Sequence, residues 1–139
     1  MCFFVSKDKK YAKPFIAKKD ITCIKKVIRD GDNYRPLYQR NTIIYTLGVK
    51  AELLKGTKLE IRVSPLVFKE TDGNLIDEGF HSYSLPLVKR ARAFLESRLT
   101  PVETAILECT IPKGTEYYYN PVMGEYVSTA IVPIKETDF

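Results

Sequence analysis

Apolar positions recur at helical spacing over one long stretch of the chain. Leu87, Val88, Ala91, Phe94, Leu95 and Leu99 share a stripe, and Lys89, Arg90, Ala93, Glu96 and Ser97 point away from it. This spacing predicts a helix over residues 85–99. Ser84 serves as its N-cap, and Pro86 is tolerated in the first turn, where no intrahelical N–H bond is needed. Arg98 in the last turn suits the dipole, and Pro101 ends the helix. Elsewhere the period is two. In Val102–Ile111, Ala105, Leu107, Cys109 and Ile111 alternate with Thr104, Ile106, Glu108 and Thr110, the pattern of a half-buried strand. Leu59, Ile61 and Val63 alternate with Glu60, Arg62 and Ser64 in the same way, and Thr42–Leu47 is a short β-branched run. Ile21–Arg29 fits a helical stripe through Cys23, Ile24, Val27 and Ile28, but its Ile, Thr and Val content favours a strand.

Turn chemistry separates these runs. Asp30-Gly31-Asp32-Asn33, Thr71-Asp72-Gly73-Asn74 and Lys113-Gly114 are turn clusters, and a helical turn is expected over Ala51–Leu54 before Gly56. Tyr117-Tyr118-Tyr119 and Tyr126–Ile134 flank Asn120-Pro121-Val122-Met123-Gly124, which reads as a C-terminal hairpin. Strands dominate and one principal helix covers a face, so the expected class is α+β with mostly antiparallel strands. No internal repeat, low-complexity tract or long linker interrupts the 139 residues, and a single domain with a basic lead-in over residues 1–19 is expected.

Charge changes this picture at one end. Residues 1–40 hold 11 Lys/Arg against 4 Asp/Glu, while the rest of the chain balances 11 against 13. The densest part interleaves Lys7, Lys9, Lys10, Lys13, Lys18 and Lys19 with Tyr11, Pro14 and Phe15. A solvated lead-in is favoured over a dedicated anion-binding arm. The overall excess is too small to argue for long nucleic acid, which is not favoured. No apolar run approaches the roughly 18 residues of a membrane span, and the first residues lack an apolar signal core, so no membrane association is expected. Cys2, Cys23 and Cys109 are odd in number and far apart, which suits free thiols in a reducing compartment.

The chain contains no GxxxxGKS/T loop, GxGxxG fingerprint, CxxC pair or HExxH helix, so no cofactor is expected. The cysteines, His81 and the carboxylates show no zinc-ligand spacing. Cys2 would become a terminal nucleophile on removal of Met1, against the alternative of a small hydrophobe ahead of Phe3 and Phe4. Candidate chemistry therefore rests on local clusters. Gly79-Phe80-His81-Ser82-Tyr83-Ser84 precedes the predicted helix, where exposed N–H groups attract anions, which makes His81 and Tyr83 candidate contacts for phosphate, ribose or base. In the alternative, Ser84 simply caps the helix and His81 fills a hydrogen-bonded niche. Arg35, Tyr38 and Arg40 combine forked cations with phenols suited to phosphate and base, or form a turn whose tyrosines cover the core edge. Lys113 and Tyr118 from the hairpin complete the set. Alternation sends Tyr117 and Tyr119 to one face and Tyr118 to the other, one of them core and the other open to a partner.

Three stretches together resemble a loose group of small proteins encoded by bacteriophages and gut bacteria. They are Met1-Cys2-Phe3-Phe4 with Ala17-Lys18-Lys19-Asp20-Ile21, then Glu78-Gly79-Phe80-His81-Ser82-Tyr83, then Ile111-Pro112-Lys113-Gly114-Thr115-Glu116-Tyr117-Tyr118. The resemblance implies a viral or mobile-element origin and a place in the cytoplasm of a bacterial host. With the Arg and Tyr clusters it gives the leading expectation: a binding protein that captures an anionic nucleotide, including one used in host immune signalling, as a homo-oligomer whose pockets are shared. Glu108-Cys109-Thr110-Ile111-Pro112-Lys113-Gly114-Thr115 also resembles the strand turn of ADP-ribosyltransferases, which implies Glu108 as the group stabilising charge as nicotinamide leaves. The Ser-Thr-Ser strand of that family is missing. A third expectation is an interaction module of the virion or of host takeover, using Tyr118, Met123 and Tyr126.

Overall fold

The computed structural model describes residues 3–36, 44–53, 58–63, 74–76, 78–84 and 104–137. Within these residues the chain forms β1 (Phe3–Phe4), β2 (Phe15–Ile16), β3 (Ile21–Asp30), β4 (Asn33–Pro36), β5 (Ala51–Glu52) and β6 (Arg62–Val63). It continues with β7 (Asn74–Ile76), β8 (Phe80–Ser84), β9 (Thr104–Ile111), β10 (Glu116–Asn120), β11 (Glu125–Ser128) and β12 (Ala130–Thr137). Strands take 59% of the described residues and no helix occurs among them, so the α+β expectation is corrected to an all-β architecture. Segment 85–99, on which the helix was expected, lies outside the described residues.

The larger sheet runs β2-β10-β11-β8-β3-β9-β12-β5, with β4 also paired to β3, and a smaller sheet runs β1-β7-β6. Neighbouring strands are antiparallel throughout. The centre is the long pairing of β3 with β9, in register from Ile21 opposite Ile111 to Ile28 opposite Thr104. The period-two pattern of β9 is realised there, since Ala105, Leu107, Cys109 and Ile111 are buried and the alternate residues half-buried. Cys23, Val27, Tyr34, Tyr45, Phe80 and Ile131 join them in one apolar cluster. A second cluster of Phe3, Val5, Leu59, Ile76, Tyr118 and Val127 joins residues of the smaller sheet to those of β10 and β11.

Several local expectations are also corrected. Ala51–Glu52 is not a helical turn but an edge strand, with Ala51 opposite Ile131. Of the run expected around Leu59–Val63, only Arg62–Val63 is strand. In Thr42–Leu47 the described part makes a single bridge, in which Tyr34 N donates to Tyr45 O at 3.0 Å and Tyr45 N to Tyr34 O at 2.7 Å. The basic lead-in is folded back onto the sheets, because β1 pairs with β7 and β2 with β10. Gly79 holds φ +140°, and a Cβ built there would stand 2.5 Å from Val127 Cγ2 and 2.9 Å from Leu59 Cδ2, so the second cluster packs against bare backbone at this point.

Candidate functional site

Alternation and register decide which side chains meet. Side chains directly opposite in an antiparallel pair share a face, and those two apart on one strand share it as well. On β10 this puts Tyr117 and Tyr119 on one face, with Phe15 of β2 opposite Tyr117 and Tyr126 of β11 opposite Tyr119. Tyr11 is brought over them by a turn in which Tyr11 N donates to Asp8 O at 2.9 Å and Lys10 N to Asp8 Oδ1 at 3.0 Å. Hydrogen bonds from Ala17 N to Thr115 O at 2.9 Å and from Gly114 N to Ala17 O at 2.8 Å hold the far end of the segment.

The result is a closed circuit of five aromatic rings. Tyr11 contacts Phe15 at 6.2 Å between centroids, Phe15 stacks on Tyr117 at 5.7 Å and 27°, and Tyr117 meets Tyr126 edge-on at 5.9 Å. Tyr126 lies 4.7 Å from Tyr119 at 34°, and Tyr119 returns to Tyr11 at 5.9 Å. All five residues are half-buried, and Tyr126 also packs against the first apolar cluster. Lys7, Lys9, Lys10 and Lys13 are exposed beside them in the chain, and Lys10 Nζ stands 5.4 Å from the Tyr11 centroid. Partial burial pushes the Tyr117 phenol above its ordinary range, and deeper burial takes Tyr126 to about 12, so both hydroxyls are neutral donors at physiological pH. Aromatic rings, phenol donors and exposed lysines are thus combined in one region of the sheet.

The same face continues inward as a buried polar row. Tyr126 is opposite Ser82, and Ser84 is opposite Cys23. Ser84 N donates to Gly124 O at 2.8 Å, so its backbone groups point toward the β11 side, and those of His81, an odd number of residues away, point toward β3. The β3–β8 pairing ends at Ile24 opposite Tyr83, and there Lys25 takes over: its ammonium donates to His81 O at 2.6 Å. Lys25 is buried, with Nζ 5.7 Å from the Tyr45 centroid. Burial lowers its pKa to about 8, against an upward pull from Cys109, Cys23 and Glu125. Burial likewise pushes the Cys23 thiol to about 11 and the Cys109 thiol further up, and the two are free cysteines standing opposite each other across β3 and β9.

Of the site residues expected from sequence, the described ones are divided: register puts Tyr118, His81 and Tyr83 on one buried face, through Val127 and Glu125 of β11, while Arg35 and Lys113 are exposed elsewhere. His81 lies inside β8, buried, with Nδ1 3.5 Å from Glu125 Oε1. Tyr83 is buried on that same face, opposite Glu125, and Tyr118 is packed into the second apolar cluster against Phe3 at 6.4 Å. These three are therefore placed away from solvent, where a ligand would have to displace packed side chains. Arg35 is exposed on β4 and pairs with Asp30 at 3.1 Å. Tyr38 and Arg40 lie outside the described residues. Lys113 is exposed in the turn after β9, where its backbone N donates to Asp20 Oδ1 at 2.8 Å. Glu108 is half-buried on β9, in register with Ile24 and Lys135. Met123 is exposed beside Val122 in the β10–β11 turn, separate from Tyr118.

The platform residues were visible only in fragments. The Tyr117-x-Tyr119 alternation was there to read, and so was the interleaving of lysine with Tyr11 and Phe15, but nothing local joined residues 11–15 to 117–126. Among the described residues no helix is long and apolar enough to cross a membrane, and no group of three or more His, Cys, Asp and Glu side chains could hold a metal ion. No family model matches the chain, and neither a curated protein nor a solved structure matches it.

Proposed function

We propose that the protein binds an anionic nucleotide, seating the base on the Tyr11–Phe15–Tyr117–Tyr126–Tyr119 platform and the phosphate among the lead-in lysines. The observation that supports this reading is the aromatic circuit itself. Five rings from three strands and a turn meet on one sheet face and stay half-buried there. An aromatic cluster also suits a quaternary ammonium ligand. The lysines decide against that, because exposed Lys7, Lys9, Lys10 and Lys13 repel a cation and attract a phosphate. The reading is capture and not turnover, since it places no general base or nucleophile at the platform.

The test is to incubate the purified chain with a panel of nucleoside monophosphates, cyclic and linear dinucleotides and NAD, remove the free fraction, and release the bound fraction by heat. A nucleotide retained by the parent protein, returned chemically intact, and lost from a Tyr117→Leu/Tyr119→Leu variant is the expected result. Retention unchanged in that variant, or no retention at all, overturns the proposal, and a new product would replace capture with catalysis.

A further inference from the structure

We infer that the platform is built for two successive bases of a single-stranded nucleic acid rather than for one free nucleotide; this rests on the proposed function and narrows its ligand. The rings fall into two pairs. Phe15 with Tyr117 is one, at 5.7 Å and 27°, and Tyr119 with Tyr126 is the other, at 4.7 Å and 34°. Both pairs are more nearly parallel than the edge-on contacts that join them, such as Tyr117 to Tyr126 at 66°. A base added to the outer side of either pair extends its stack, which gives two stacking places.

Their separation selects the ligand. Tyr117 and Tyr119 are two residues apart on β10, which puts their backbones about 7 Å apart. That is twice the roughly 3.4 Å rise per nucleotide of a helical strand. Adjacent bases of a duplex, held at helical rise on each other, cannot occupy both pairs. Two successive bases of a single strand can, once they are unstacked from each other and stacked on protein rings instead. A lone mononucleotide fills one place and leaves the other open. Among the described residues the surface is a sheet face, on which one base loses water from one side and binds weakly. A strand adds a second stack and further phosphates.

Lysines flank the rings in the chain, and Lys10 Nζ stands 5.4 Å from the Tyr11 centroid. Lys9, Lys10 and Lys13 are exposed on the segment that carries Tyr11 over Tyr119 and Phe15 alongside Tyr117. Phosphates of a strand lying along β10 would come within reach of this segment, where the positive charge of residues 1–40 is densest. Stacking of this kind tolerates any base, since each has a π-face, so the recognition is by chemical class and not by sequence.

The experiment is fluorescence anisotropy of the full chain with a labelled eight-residue oligothymidylate, competed by the same duplexed sequence, by the dinucleotide pTpT and by dTMP. The single strand is expected to bind, pTpT to compete at least tenfold better than dTMP, and the duplex to compete poorly. With three phosphates neutralised, log K should fall against log salt with a slope of about −2, and Lys9→Gln/Lys10→Gln/Lys13→Gln should flatten it. Tyr119→Leu keeps apolar bulk but removes one stacking face, and should weaken the oligomer and pTpT about tenfold while leaving dTMP within twofold. Equal competition by dTMP and pTpT overturns the two-base inference and leaves nucleotide capture standing. Failure of every nucleotide to bind a folded protein overturns both.

Discussion

Replacing Lys25 by Met isolates the buried ammonium on which the splayed edge of β8 depends. The side chain is 8% exposed and its hydrogen bond is to His81 O at 2.6 Å. Burial lowers its pKa from an ordinary 10.5 to about 8, and the unfolded chain therefore binds more protons than the native one between those values. Stability must rise with pH across this window, and it is lowest below about pH 8, where the ammonium is charged in both states. The drop corresponds to about 3 kcal/mol set against folding at pH 7, of which about 1 kcal/mol is recovered by pH 9. The thiols act in the opposite sense. Cys23 and Cys109 keep their protons longer when folded, so their contribution falls as pH rises through the ordinary thiol value of 9.0 and above. Comparing parent and Lys25→Met at each pH cancels that background. The variant sheds the charge penalty but leaves the His81 carbonyl without its donor, at about 1–3 kcal/mol. It should therefore match the parent at pH 7 or exceed it by up to about 2 kcal/mol. By pH 9 the balance should shift about 1 kcal/mol toward the parent. Urea titrations at pH 7, 8 and 9, at fixed ionic strength and with thiols kept reduced, read this directly. A parent–variant difference that is the same at every pH would refute the reasoning, because it would mean that Lys25 titrates as a solvated lysine.

Other outcomes follow from single positions. Gly79→Ala places a Cβ against Val127 and Leu59 in a backbone region that L-residues rarely adopt, and should cost about 3 kcal/mol in a urea titration. Asn120 is buried, with Nδ2 donating to Phe4 O at 2.7 Å and Oδ1 accepting from Val122 N at 3.0 Å and Met123 N at 3.3 Å. Asn120→Ala should cost about 2 kcal/mol and speed proteolysis near Phe4, where an unchanged cleavage rate would separate β1 from the turn. Arg35→Ala removes only an exposed pair with Asp30, so it should change stability by less than about 0.5 kcal/mol and leave nucleotide retention as it was.

Much of the strand content was legible because period-two burial is written directly in the chain. β9 shows it in full, and β3 follows the Ile, Thr and Val content of its segment. The class was not legible, because the helical stripe at Leu87–Leu99 outweighed many shorter strands of two to five residues that only pairing reveals. The burial of His81 and Tyr83 was not legible either, because it comes from the pairing of Phe80–Ser84 with β11 and β3, which local spacing does not show. Alternation separates Tyr118 from Tyr117 and Tyr119 without saying which face is covered. The covered face is the Tyr118 side, where Tyr118 meets Phe3, far from it in sequence, beside its cross-strand partner Val127. The lysine-rich lead-in read as solvated since its anchor, β2 on β10, is only two residues long.

The claim on which the account stands is that the aromatic face is where ligand sits. Aromatic carbon-13 chemical shifts, recorded while the full chain is titrated with oligothymidylate, address it ring by ring. Shifts concentrated on Tyr11, Phe15, Tyr117, Tyr119 and Tyr126, with buried Tyr45, Tyr83 and Tyr118 unmoved, are the predicted result. Shifts spread evenly over all tyrosines, or confined to those outside the platform, would contradict it.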